Sequence, residues 1–190
     1  MLEAAGVLYV ILALATLFLF VIALMLLGKV PAKSVGSLAG IIGVTGTILI
    51  LYMVATDALS VFGPTASYAA GIGAFVFFMI YILIAAEVFG GTDFKATGWF
   101  ALIGGTLVFL IGLGFLHVLG TALPLNGQFG AMFLVYAVAF WIIFLVFGLG
   151  QTKLTKLLAW YLLIPTTAIT VAWPIIMYTN AFNIGRWFPA

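Results

Sequence analysis

The chain has no cysteine, one histidine and very little charge: six Lys and Arg against four Asp and Glu in 190 residues. Without cysteine there is no disulfide, no thiolate metal site and no thiol chemistry. One histidine with no carboxylate near it in sequence makes neither a metal site nor a Ser-His-acid grouping, and a bis-histidine haem needs two. No catalytic residue, metal or cofactor is therefore expected. Six scattered basic residues also form no stripe on which a nucleic acid could lie, so no nucleic-acid partner is expected. With 5% of residues charged, the chain cannot build the polar shell of a water-soluble domain of this size.

What is present is apolar. Hydrophobic residues make up 67% of the chain, and the mean hydropathy is +1.43. Six runs are each long enough to cross about 30 Å of hydrocarbon, at roughly 5–27, 35–56, 67–89, 98–118, 129–149 and 158–181. The first reads as a span and not as a cleaved leader, because Glu3 precedes it and no basic stretch does. The runs do not alternate apolar and polar residues as barrel strands do, and a helix satisfies its own backbone inside lipid. The reading is an all-α integral membrane protein, a six-transmembrane-helix bundle forming one domain over residues 1–190.

The lysines orient it. Lys29 and Lys33 fall between the first two spans, Lys95 between the third and fourth, and Lys153 and Lys156 between the last two. With six spans all five lie at one end, which places both termini on the non-cytoplasmic side of the cell (inner) membrane. Gly28, Gly90 and Gly150 open these turns at intervals of 62 and 60 residues, and Lys33, Lys95 and Lys156 follow at 62 and 61. Two readings stand: three repeated helix hairpins, or short loops recurring between spans of similar length.

Polar groups inside the runs are few. Glycines at 36, 40, 43 and 46, and again at 104, 105, 112 and 114, place small residues where helices pack closely. Thr45, Thr47, Thr106, Thr166, Thr167 and Thr170 can bond to their own helix backbone. Thr166 and Thr170 share a face framed by Pro165 and Pro174; they either compensate the carbonyls the prolines free or border a polar path. Glu87 is expected to sit at the interface in water, within reach of Lys95, and His117 at the outer end of its span. Trp99, Trp160 and Trp187 fall at belt depth, and Trp141 and Trp173 deeper.

Several of these stretches resemble the AmiS/UreI family of acid-activated urea channels and short-chain amide transporters. The likeness lies in Met1-Leu2 with Leu8-Tyr9-Val10, Lys33-Ser34 with Gly40 to Gly43, and Tyr81 with Ala85-Ala86. It continues through Gly91, Asp93, Gly98, Trp99 and Phe100, then Gly127 to Trp141, then Leu154, Thr155, Trp160, Thr170 and Pro174. Where the family has a glutamate early in its sixth span, this chain has Pro165, Thr166 or Thr167, and of the family's fifth-span tryptophans only Trp141 remains.

The resemblance implies a passive channel or transporter for a small neutral solute, urea or a short aliphatic amide, and not an enzyme. It implies a homo-hexamer in the bilayer with lipid in the central hole. The pore-lining residues it implies are Trp141, Phe140, Tyr136, Phe133, Tyr81, Thr166, Thr170 and Trp173, with rings as apolar walls and hydroxyls as hydrogen-bonding positions. The short outer loop without histidine implies no histidine-based acid gating. The competing reading is a structural or accessory subunit of a larger membrane complex.

Overall fold

The computed structural model describes residues 2–59, 66–116, 127–166 and 168. Among them every regular element is helical: α1 (Leu2–Leu26), α2 (Ala32–Ala55), α3 (Ala66–Gly90), α4 (Lys95–Phe115), α5 (Gly127–Ile143) and α6 (Thr155–Tyr161). A π turn, Phe144–Gly148, extends α5, and another, Leu162–Thr166, extends α6. Four stretches among the described residues are long and apolar enough to cross a membrane: Ala32–Ala55, Ser67–Gly90, Lys95–Phe115 and Gly130–Gly148. His117, Thr167, Thr170, Trp173, Pro174, Arg186 and Trp187 lie outside the described residues.

Three turns share one end of the bundle. Gly28, Gly91 and Gly150 all have positive φ, at 69°, 66° and 67°, the left-handed conformation that lets a helix stop and reverse. At Gly28 the stop is a Schellman motif: the Gly28 N–H donates to Met25 O and the Lys29 N–H to Leu24 O, both at 2.8 Å. The Thr92 N–H closes α3 in the same way on Glu87 O at 3.1 Å. After α5 the loop is one residue wider, the Gln151 N–H reaching Leu145 O at 3.0 Å, because the π turn has already absorbed an extra residue. The left-handed residue in the second turn is Gly91, one position beyond the Gly90 expected to open it.

Glycine sets the helix pairing. A Cβ on Gly46 would stand 2.0 Å from the Phe78 ring, and one on Gly43 2.7 Å from Ile82, so α3 lies in a groove along α2. Between α4 and α5 the approach is of backbone on backbone: a Cβ on Gly98 would meet Gly148 N at 2.1 Å. Farther along, Gly105 faces Phe140, and Gly112 faces Phe133 and Gly130 O. In a membrane, where burying apolar surface brings helices together only weakly, such contact supplies the association energy. α1 packs against α2 and α6, and α3 against α4. The centre of the bundle falls to α1, α3 and α5.

Candidate functional site: an aromatic core between three helices

Phe77 and Tyr81 stand four residues apart on α3, one above the other on one face. Tyr136 and Phe140 repeat that spacing on α5, with Phe133 three residues before Tyr136. These faces meet: the Phe77 ring lies 4.6 Å from Tyr136 and 4.7 Å from Phe140, centroid to centroid. From α1, Phe18 packs edge-on with Tyr81 at 4.3 Å, and Phe78, on the same helix as Tyr81, does so at 5.6 Å. Edge-on and tilted contacts suit the ring quadrupoles and add roughly 0.5–1.5 kcal/mol per pair beyond burial. All seven rings are buried.

The Tyr81 hydroxyl has a partner. It donates to the Ala15 carbonyl on α1 at 3.0 Å, tying α3 to α1 across the centre. On the adjoining side the Tyr161 hydroxyl of α6 donates to Val135 O of α5 at 3.1 Å.

Of the expected lining residues, Tyr81, Tyr136 and Phe140 are thus brought together. Phe133 sits farther along α5, where it fills the space left by Gly73 and contacts the Phe115 ring at 5.3 Å. Trp141 turns away from this centre. One residue past Phe140 is a rotation of about 100°, and its indole packs on the α4 side against Phe109 at 5.3 Å, beside Gly105. Thr166 is buried in the second π turn, and its hydroxyl donates to Leu162 O of its own helix. Thr47 and Thr106 likewise bond to the carbonyls of Gly43 and Leu102 on their own helices. Phe18 and Phe77 belong to the core and were not singled out in the sequence. The signal for Phe77 was its spacing of four from Tyr81.

Glu87 corrects an expectation. It is not an interfacial, water-exposed side chain paired with Lys95; it is buried and caps α4. Its Oε1 accepts the backbone N–H of Ala96 at 2.9 Å and of Thr97 at 3.2 Å, and its Oε2 accepts the Thr97 hydroxyl. The first turn of a helix has free N–H groups and a partial positive charge, so it competes successfully for a carboxylate held nearby. Lys95 pairs instead with Asp93 at 2.8 Å, both exposed. That hydrogen bond from the Lys95 ammonium holds the Asp93 carboxyl below the usual carboxylate range. Among the described residues no group of three His, Cys, Asp or Glu converges to hold a metal.

A bundle of long apolar helices with glycine-cut grooves, lysine-bearing turns at one end and an aromatic core pinned by tyrosine is an α-helical membrane protein in architecture. Its sequence places it more narrowly: the chain belongs to the AmiS/UreI family transporters, whose profile matches residues 7–181. AmiS2 of Rhodococcus erythropolis, a protein assigned as a transporter, is 26% identical over 142 residues, 75% of this chain. The chain spans 65% of that relative's length. The fold is that of the Helicobacter pylori urea channel. The cryoEM structure of that channel in its closed state superposes with a TM-score of 0.75 at 15% identity, over 91% of this chain and 98% of the other. The crystal structure of the channel gives 0.69 at 17% identity, over 93% and 98%.

Proposed function

We propose that the chain is a passive channel for a small neutral solute, urea or a short aliphatic amide, which crosses each protomer between α1, α3 and α5. The observation that carries the reading is the register of the core rings. Phe18, Tyr81 and Phe140 each stand ten residues before the left-handed glycine of their own turn, and Leu14, Phe77 and Tyr136 each stand fourteen before it. Three helices thus bring residues at equal sequence distance from their turns to one core. This register supports three repeated hairpins in a six-span bundle, as does the packing of α2 on α3, α4 on α5 and α6 on α1.

A neutral solute suits such a core. It sheds a few hydrogen bonds on entering, whereas an ion would lose a solvation energy that rings cannot replace. Tyrosine hydroxyls at this depth offer exchange partners. The ring contacts of 4.3 to 4.7 Å leave no gap for urea, so passage requires the rings to turn aside. Phe133 and Thr166 continue the wall, and Trp141 backs it from the α4 side. The lysines at one end support a multi-pass inner-membrane protein with both termini on the non-cytoplasmic side. The family placement supports a homo-hexamer with lipid in its central hole.

The test is stopped-flow flux into proteoliposomes with urea, acetamide, ammonia and water. Wild type should carry urea or acetamide above protein-free vesicles. Phe140→Ala should change that flux by about tenfold, equivalent to about 1.4 kcal/mol in the barrier, and Trp141→Ala should change it less. Urea and acetamide flux no different from empty vesicles, in folded protein, would refute the reading.

A further inference from the structure

The rings and the turns leave one feature unused: an outward stripe on α6 and its π turn. Lys153, Lys156, Leu157, Trp160 and Ile164 are all exposed and follow one another at helical spacing, the last three 53%, 52% and 57% exposed. Two ammonium groups head the stripe, an indole lies one turn below Lys156, and aliphatic side chains follow. We infer that this stripe binds an anionic phospholipid, with the phosphate between Lys153 and Lys156, the indole N–H at the level of the acyl ester and the chain along Leu157 and Ile164.

Charge at this end decides in favour of an anionic occupant. Two carboxylates are present beside the lysine turns, and both are engaged: Glu87 on the first turn of α4, Asp93 on Lys95. Among the described residues neither Lys153 nor Lys156 has an ion pair. Lys29 and Lys33, on the turn after α1, add positive potential, because α1 packs directly on α6. Lysine stems lie readily along apolar surface while the ammonium stays at the water boundary, and tryptophan favours the adjoining layer. A zwitterionic headgroup brings its own ammonium to the same place and is disfavoured.

The fold contains a control. On α4, Lys95, Trp99 and Ile103 repeat the lysine–tryptophan–aliphatic order at intervals of four, and Trp99 and Ile103 are 52% and 64% exposed. There, however, Asp93 sits 2.8 Å from the ammonium. The stripe on α4 should therefore hold lipid without regard to charge, and the stripe on α6 should select for it.

Native mass spectrometry of protein equilibrated with equal phosphatidylglycerol and phosphatidylcholine reads the retained ratio directly. Each lysine near a headgroup contributes roughly fivefold, so the wild-type ratio should favour phosphatidylglycerol by at least about tenfold. The double variant Lys153→Gln, Lys156→Gln should bring it close to parity, and the double arginine variant should restore it. Asp93→Asn, which leaves α6 untouched, should raise retention of phosphatidylglycerol by freeing Lys95. Equal retention of both lipids by wild type would overturn the inference. So would an unchanged ratio in the glutamine variant, or a stripe found covered by a second copy of the chain. An Asp93→Asn variant with no gain would overturn the role given to charge.

Discussion

Tyr81 and Glu87 are both polar side chains buried in an apolar chain, and each bridges two helices. Tyr81→Phe keeps the ring and loses one hydrogen bond, and Ala15 O keeps its place in the α1 backbone ladder. The expected cost is about 1 kcal/mol, read as a small fall in the thermal midpoint in detergent, together with a change in urea flux as α1 is freed from α3. Glu87→Ala strands two N–H groups and a hydroxyl at the start of α4. It should cost about 2–3 kcal/mol or more, whereas Glu87→Gln retains an acceptor oxygen and should fall between. A ranking with alanine no worse than glutamine would remove the capping role. Asp93 is different, because it is exposed and its bridge is worth little. Its folded-state pKa is depressed, so any stabilisation is present above the ordinary carboxylate pKa and is lost as pH falls through the lowered folded value. Thermal midpoints of wild type and Asp93→Asn should therefore converge only in acid below the usual carboxylate range.

At the scale of elements, the grooves cut by glycine set where helices touch. Gly40 and Gly46 of α2 both meet α3 yet predict opposite outcomes. A Cβ at Gly40 meets Ala85 at 3.6 Å, ordinary contact, so Gly40→Ala should be neutral or stabilise by up to about 1 kcal/mol through helix propensity. At Gly46 the Cβ would overlap the buried Phe78 ring, and that ring is wedged against Tyr81. Gly46→Ala should therefore lower the thermal midpoint and also alter flux. Equal effects of the two variants would show that α2 and α3 are not held at this distance. The turns follow the same logic: a left-handed glycine ends α1, α3 and the π extension of α5, and the extra residue of that extension widens the last loop.

For the whole molecule, the proposed arrangement makes a topological prediction. Cysteine placed at Lys33 and at Lys153, in a chain that has none of its own, should react with a membrane-impermeant maleimide from the same side of the membrane. Labelling from opposite sides would break the three-hairpin order. The sequence and the tertiary structure agree on the helical membrane architecture because both follow from one constraint: backbone polar groups in hydrocarbon must be paired within the helix. They part at the site. Phe140 and Trp141 are neighbours of the same type and similar depth, and nothing local to them says that one enters the core and the other packs on α4.

Composition alone was enough to exclude thiol and disulfide chemistry and to require long apolar helices, and the order of residues gathered the lysines at turns. It could not say which face of each helix looks inward. A helix that is apolar all round carries no stripe to mark its buried side, so the meeting of Phe18, Tyr81, Tyr136 and Phe140 was decided by packing. The partner of Glu87 was likewise decided by a turn that brings the start of α4 back beside the end of α3, where free N–H groups outcompete a lysine that water can solvate.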